Sequence, residues 1–103
     1  MKAIWLTIPA IAALMVAGTA SADLDLAKKS GCMACHKIDK KVVGPAWNDI
    51  AAKYAAEADG KATVLKSIQE GSRGKWGKVP MPPQGRVSAA DAETLADFIM
   101  GLK

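Results

Sequence analysis

Five consecutive residues, Cys32-Met33-Ala34-Cys35-His36, hold both cysteines and the only histidine of the chain. The spacing C-x-x-C-H is that of covalent c-type haem attachment. In a single helical turn, side chains three positions apart share a face. Cys32 and Cys35 can therefore reach two neighbouring vinyl groups on one edge of a porphyrin. His36, next in line, can turn under the ring and offer an imidazole nitrogen to the iron. Two other uses of these residues compete. A Cys-x-x-Cys thiol oxidoreductase needs a thioredoxin-like alternation of strands and helices, which the chain lacks. A zinc site would have Cys32, Cys35 and His36 but no good fourth ligand, Asp39 being a poor candidate.

A haem held by His36 alone leaves one iron position open. With no second histidine, a bis-histidine site is excluded, and the candidates are a methionine, a lysine, the N-terminal amine, or nothing. Met33 lies inside the cysteine loop, too close to His36 to reach the opposite face of a ring. Met100 sits beside Ile99 in a helical pattern and reads as core. Met81 stands in Val79-Pro80-Met81-Pro82-Pro83 and follows His36 by 45 positions, enough chain to return over the other face. Its flanking prolines fix the backbone and remove local donors, so little entropy is lost when the side chain binds. The competing reading is a surface loop with an incidental methionine. A thioether is a soft ligand, and ligation by His36 and Met81 raises the reduction potential. The other ring nitrogen of His36 needs an acceptor that fixes its tautomer; the Pro45 carbonyl, nine residues on, is the natural supplier. The indole N–H of Trp76 needs a partner once buried. A haem propionate would serve, with simple packing against the haem edge as the alternative.

An all-α chain of four or five short helices and one long loop has to position these groups. Asp23 to Ser30 reads as a first helix, with Leu26 and Ala27 on one face and acidic residues suiting its start. Trp47, Ile50, Ala51 and Tyr54 fall on one face of a second. Asp59-Gly60 reads as a turn, and Lys61 to Glu70 as a third helix with Val64, Leu65 and Ile68 inward and Gly71 as its stop. The segment from Gly71 to Gly85, rich in glycine and proline, cannot be a regular helix. It nonetheless contains Trp76, Val79 and Met81, and long ordered loops of this kind are usually functional. Ser88-Ala89-Ala90-Asp91 is an N-cap signal for a last helix running to about Leu102, with Ala92, Leu95, Phe98, Ile99 and Leu102 inward.

The chain divides into residues 1–22 and 23–103. The first part has Lys2, an uncharged apolar run interrupted by Pro9, and the small-x-small site Ala20-Ser21-Ala22. That is the pattern of a cleaved secretory signal peptide, and the run is shorter than the roughly 20 residues a spanning helix needs. No cysteine at the cleavage point supports a lipid anchor. The remaining domain is small enough that a protein core alone is marginal, and a buried haem would supply the missing apolar body. The formal net charge of +4 is too weak and dispersed for nucleic-acid binding. It suits electrostatic steering toward an acidic partner. Lys37, Lys40, Lys41, Lys53, Lys75, Lys78 and Arg86 form a solvated basic face, part of which would border an exposed haem edge.

Residues 23–103 resemble the small class I bacterial cytochromes c of the cytochrome c-551, or cytochrome c8, group. The resemblance rests on Gly31 to His36, Val43-Gly44-Pro45-Ala46, Gly74-Lys75-Trp76-Gly77, Pro80-Met81-Pro82-Pro83, and the last helix with Thr94-Leu95-Ala96. It implies the small cytochrome c fold around one haem c, with crossing terminal helices and Gly31 against Phe98. It implies Cys32 and Cys35 as thioether attachments, and His36 and Met81 as axial ligands. The resemblance also gives the Pro45 carbonyl as acceptor for His36 and Trp76 as a propionate contact. The chain departs from the pattern at Ser67, where many relatives have a basic residue near a propionate, leaving Lys66 or water to substitute. Gln84 stands where asparagine is common near the ligand sulfur, and Trp47 where tyrosine or phenylalanine is.

The expected function is a monomeric periplasmic mono-haem electron carrier, not an enzyme, without nucleic-acid binding or stable membrane insertion. Its partners would be transient redox proteins, such as a quinol-oxidising complex upstream and a nitrite reductase, oxidase or peroxidase downstream. The alternative is a haem-based gas sensor or peroxidase with Met81 off the iron.

Overall fold

The computed structural model describes residues 21–102, so the apolar leader lies almost wholly outside the described residues; Ser21 and Ala22 are helical. Four α-helices and one 3₁₀ turn make up the regular structure. Helix α1 covers 21–29, and the 3₁₀ turn is Cys32–Ala34. Helix α2 is Trp47–Ala55, α3 is Gly60–Glu70, and α4 is Ala89–Met100. Among the described residues there are no strands, only the isolated bridges His36 with Lys41 and Ser72 with Met81. None of the described helices is long and apolar enough to cross a membrane.

Helix α4 packs against both α2 and α3. Its inward stripe of Ala92, Leu95, Ala96 and Ile99 is buried, and Leu95 has no exposed surface at all. The small side chains of Ala92 and Ala96 let neighbouring helices approach closely, while Leu95 fills the volume between them. From α1, Ala27 is fully buried in the same cluster. Ser88 starts α4 by accepting a hydrogen bond from the Asp91 N–H at 3.1 Å, which satisfies one of the free donors of the first turn. At the other end Gly101 takes the helix-capping position, so α4 stops at Met100 and Leu102 lies beyond it.

Three sequence expectations change. Gly60 is not in a turn but opens α3. It is buried because its backbone lies against the Tyr54 carbonyl, where a Cβ would collide. The side-chain position of Gly31 also does not face Phe98, contrary to the expected packing. The nearest group to a Cβ on Gly31 is the Arg86 guanidinium, at 3.8 Å, while Phe98 meets Trp47 edge to face at 6.1 Å. Finally, α1 begins before Asp23, because neither Ser21 nor Ala22 breaks the helix.

Lys61 ties α3 to α4 on the surface, with Nζ at 2.8 Å from Glu93 and 2.9 Å from Asp97. Hydrogen bonds to these two carboxylates push its ionisation up to about 12. A raised lysine stabilises the fold below its ordinary range and loses that effect only as pH rises through the folded value. The link therefore persists at any pH near neutral.

Candidate functional site

The motif sits on a turn held by its own backbone. Gly31 adopts φ 82° and hands the chain into the 3₁₀ turn, a conformation that favours glycine. The Ala34 N–H donates to Gly31, and the Cys35 and His36 N–H groups donate to the Cys32 carbonyl. Neither cysteine is in a disulfide. Burial pushes the Cys32 thiol above its usual value, the reverse of the depressed thiolate that a redox-active Cys-x-x-Cys needs. Among the described residues no three His, Cys, Asp or Glu side chains converge as a metal-holding group.

His36 is 8 % exposed. Its Nδ1 lies 2.8 Å from the Pro45 carbonyl oxygen. A carbonyl can only accept, so Nδ1 carries the proton and Nε2 keeps its lone pair free in the cleft. The segment from His36 to Pro45 is a compact loop that also feeds α2. Its Lys37 and Ile38 carbonyls accept the first N–H groups of that helix, from Trp47 and Asn48, at 2.9 Å each. Those bonds do the work of a side-chain cap, which Ala46 cannot provide. Trp47 then lies behind the imidazole, with ring centroids 5.8 Å apart.

Two contributors to this arrangement were not assigned roles from sequence. Trp47, on the inward face of α2 by its spacing, also backs His36. Gly44 allows the loop to pass directly over the imidazole, since a Cβ there would stand 2.5 Å from His36 Cε1 and 2.9 Å from Nδ1. The expected result of Gly44→Ala is destabilisation by about 1–3 kcal/mol, with a shifted reduction potential as the ring is displaced from Pro45. Thermal unfolding and redox titration check this; a variant matching the parent in both would show that the loop yields freely.

Met81 is positioned by more than its prolines. Its N–H donates to the Ser72 carbonyl at 2.9 Å, and the Ser72 N–H donates to the Met81 carbonyl at 3.0 Å. Ser72 follows directly from the Gly71 stop of α3, so the methionine is pinned to the end of a packed helix. Gln84 is tied to the same helix by its N–H to Ile68 at 2.9 Å. Its side-chain amide donates to the Pro82 carbonyl at 2.8 Å, which engages it with its own loop. Trp76 is half-buried and meets Tyr54 at 72° with centroids 6.4 Å apart.

All six expected site residues, Cys32, Cys35, His36, Pro45, Trp76 and Met81, line a single cleft, to which the buried Leu95 and Ile99 also contribute. The cleft encloses about 1130 Å³ of empty space, the solvent at its mouth included. Its walls are mostly apolar, and the His36 imidazole, the Met81 thioether and the Cys32 and Cys35 thiols are among the groups that line it. Such donors suit a large flat apolar iron complex held through sulfur and nitrogen.

The cytochrome c family profile matches residues 25–103. The chain belongs to the cytochrome c family. It is 55 % identical to cytochrome c-552 of Nitrosomonas europaea over 103 residues, the whole of both chains. It is 53 % identical to cytochrome c-551 of Pseudomonas denitrificans over 79 residues, covering 77 % of this chain and 95 % of that one. The crystal structure of wild-type Nitrosomonas europaea cytochrome c552 superposes with a TM-score of 0.75, over 78 % of this chain and 99 % of its own. This places the protein with the small class I cytochromes, with one covalently attached haem c, and the cleft of this cytochrome fits that group.

Proposed function

We propose that this cytochrome is a periplasmic single-electron carrier, in which Cys32 and Cys35 form the two thioethers and His36 Nε2 and Met81 Sδ are the axial ligands. The observation that carries the reading is the Nδ1–H of His36 on the Pro45 carbonyl, with Nε2 left free in the cleft that Met81 also lines. The haem supplies one-electron chemistry. The protein's part is to hold geometry constant. Pro45 fixes the imidazole tautomer and angle. The Ser72–Met81 bridge keeps the thioether in place, so neither ligand must move as charge changes. Leu95 and Ile99 keep water from the inner wall.

At the mouth, Val43 and Val79 are 50 % and 66 % exposed and line the same cleft. They mark where an edge of the group would face solvent and a partner would touch. Lysines on the two flanking loops, Lys37, Lys40 and Lys41 on one and Lys75 and Lys78 on the other, would steer an acidic partner. Charges at such a rim mainly set association rate and its salt dependence. By analogy with relatives, a quinol-oxidising complex would supply electrons and a nitrite reductase, oxidase or peroxidase would accept them. Residues 1–22 would be removed on export.

The test is export of the full chain in a host that attaches haem c. The expected product has the mass of residues 23–103 plus one haem, and keeps its haem through acid–organic extraction. The oxidised form shows a weak far-red sulfur–iron band, and the reduced form is inert to carbon monoxide. Rapid carbon monoxide binding would replace the carrier reading with that of a gas sensor or peroxidase having Met81 off the iron.

A further inference from the structure

Resting on the haem reading above, we propose that Lys53 provides the cation that receives a haem carboxylate at the Trp76 end of the cleft. Haem c carries two carboxylates, and an anion set against an apolar wall needs donors or a counter-charge. The cleft wall offers little. His36 is committed elsewhere, Lys75 is the other charged lining residue, and Ser67 presents a neutral hydroxyl. Lys66, the substitute suggested by sequence, is exposed and outside the cleft wall, as Lys53 is, but among the described residues it is Lys53 whose ammonium sits over rings that line the cleft.

Lys53 stands differently. Its Nζ lies 5.6 Å from the Tyr54 ring centroid and 5.9 Å from that of Trp76, over the junction of two rings that both line the cleft. It has no carboxylate partner among the described residues, where the ion pairs are those of Lys61. Asp49 and Glu57, four positions away on either side, do not pair with it. The Tyr54 hydroxyl and the Trp76 indole N–H likewise donate to no acceptor among the described residues. Lys53 thus stands over two cleft-lining rings, and its ammonium, the Tyr54 hydroxyl and the Trp76 indole N–H are without an acceptor among the described residues. From α4 the same cleft receives only Leu95 and Ile99, so no acidic group on that side competes. An anionic acceptor delivered by the bound group completes the set. An ammonium held over ring faces is favourable in itself, and it leaves the N–H groups of Lys53 free to turn toward the carboxylate.

The experiment compares the holoprotein with Lys53→Gln, Lys53→Arg, Lys66→Gln and Lys75→Gln by equilibrium redox titration from acid to alkaline pH, with thermal unfolding alongside. Loss of the cation should lower the potential of Lys53→Gln and move the carboxyl titration seen in its pH profile upward by about one unit. Lys53→Arg should keep the parental profile, and Lys66→Gln should not alter it. Adding Ser67→Lys to Lys53→Gln returns a cation to the cleft wall and should recover the potential. A purely structural role for Lys53 would change unfolding without moving the pH profile. That result, or a larger shift in Lys75→Gln than in Lys53→Gln, overturns the proposal. Failure of the parent to retain haem would instead refute the haem reading itself, so the two failures are distinguishable.

Discussion

Met81→Ala is expected to convert the protein from a closed carrier into an open haem protein. The weak far-red band of the oxidised form disappears, the reduced form binds carbon monoxide, and the potential falls by a sizeable part of the ~0.8 V that axial ligands span. A thioether is a soft ligand that favours the ferrous state, so with Met81 as the proposed ligand its removal would lower the potential. No other histidine is there to replace it, and neither Met33 nor Met100 is set to do so. His36 is the only histidine, Met33 is partly buried against the core beside the motif, and Met100 packs against the core from α4. Absorption spectra, carbon monoxide rebinding and redox titration give the three readings. An Ala variant that keeps the band and the potential would take Met81 off the iron.

The second large effect is expected at Gly71. Its φ of 84° with ψ of 179° lies in a region open essentially to glycine, and forcing another residue there costs about 1–3 kcal/mol. A Cβ would also stand 2.6 Å from the Met81 carbonyl oxygen and 3.1 Å from Pro83. These neighbours are backbone and a proline ring, so neither can turn away as a flexible side chain could. Gly71→Ala should therefore break the two hydrogen bonds between Ser72 and Met81 and destabilise the holoprotein by about 3 kcal/mol or more, the upper end of that range with the clash added. The far-red band should weaken in the same variant. Denaturant unfolding of the oxidised protein, followed at that band and by far-ultraviolet circular dichroism, measures both. Stability within about 0.5 kcal/mol of the parent, the usual scatter of surface changes, would show that the loop tolerates a side chain at this point.

Much of this architecture was legible in the sequence because its signals are local. The attachment turn is one contiguous motif. The inward stripes of α2 and α4 repeat at helical spacing, and Ser88 and Gly71 mark their helix ends by side-chain chemistry and backbone freedom. What escaped is non-local. Gly60 looks like a turn residue until the Tyr54 carbonyl is packed against it. Gly44 looks like part of a turn before proline until the imidazole is placed beneath it. The Ser72–Met81 bridge joins residues whose types carry no pairing signal. Lys53 and Lys66 are alike as exposed lysines, and only the placement of Tyr54 and Trp76 separates them. Phe98 meets Trp47 edge to face, a contact between two helices that no local pattern announces.

The two sides of the cleft also differ in how they come into being. The turn that presents Cys32, Cys35 and His36 is closed by hydrogen bonds between residues no more than four apart. Short loops close at little entropic cost and form early. Met81 reaches its place only after α3 has ended at Gly71 and the loop has folded back on Ser72. Assembly would then have a direction: if the proposed thioethers form at Cys32 and Cys35, that side could be loaded on a nearly unstructured chain, and the Met81 side would be the last piece set.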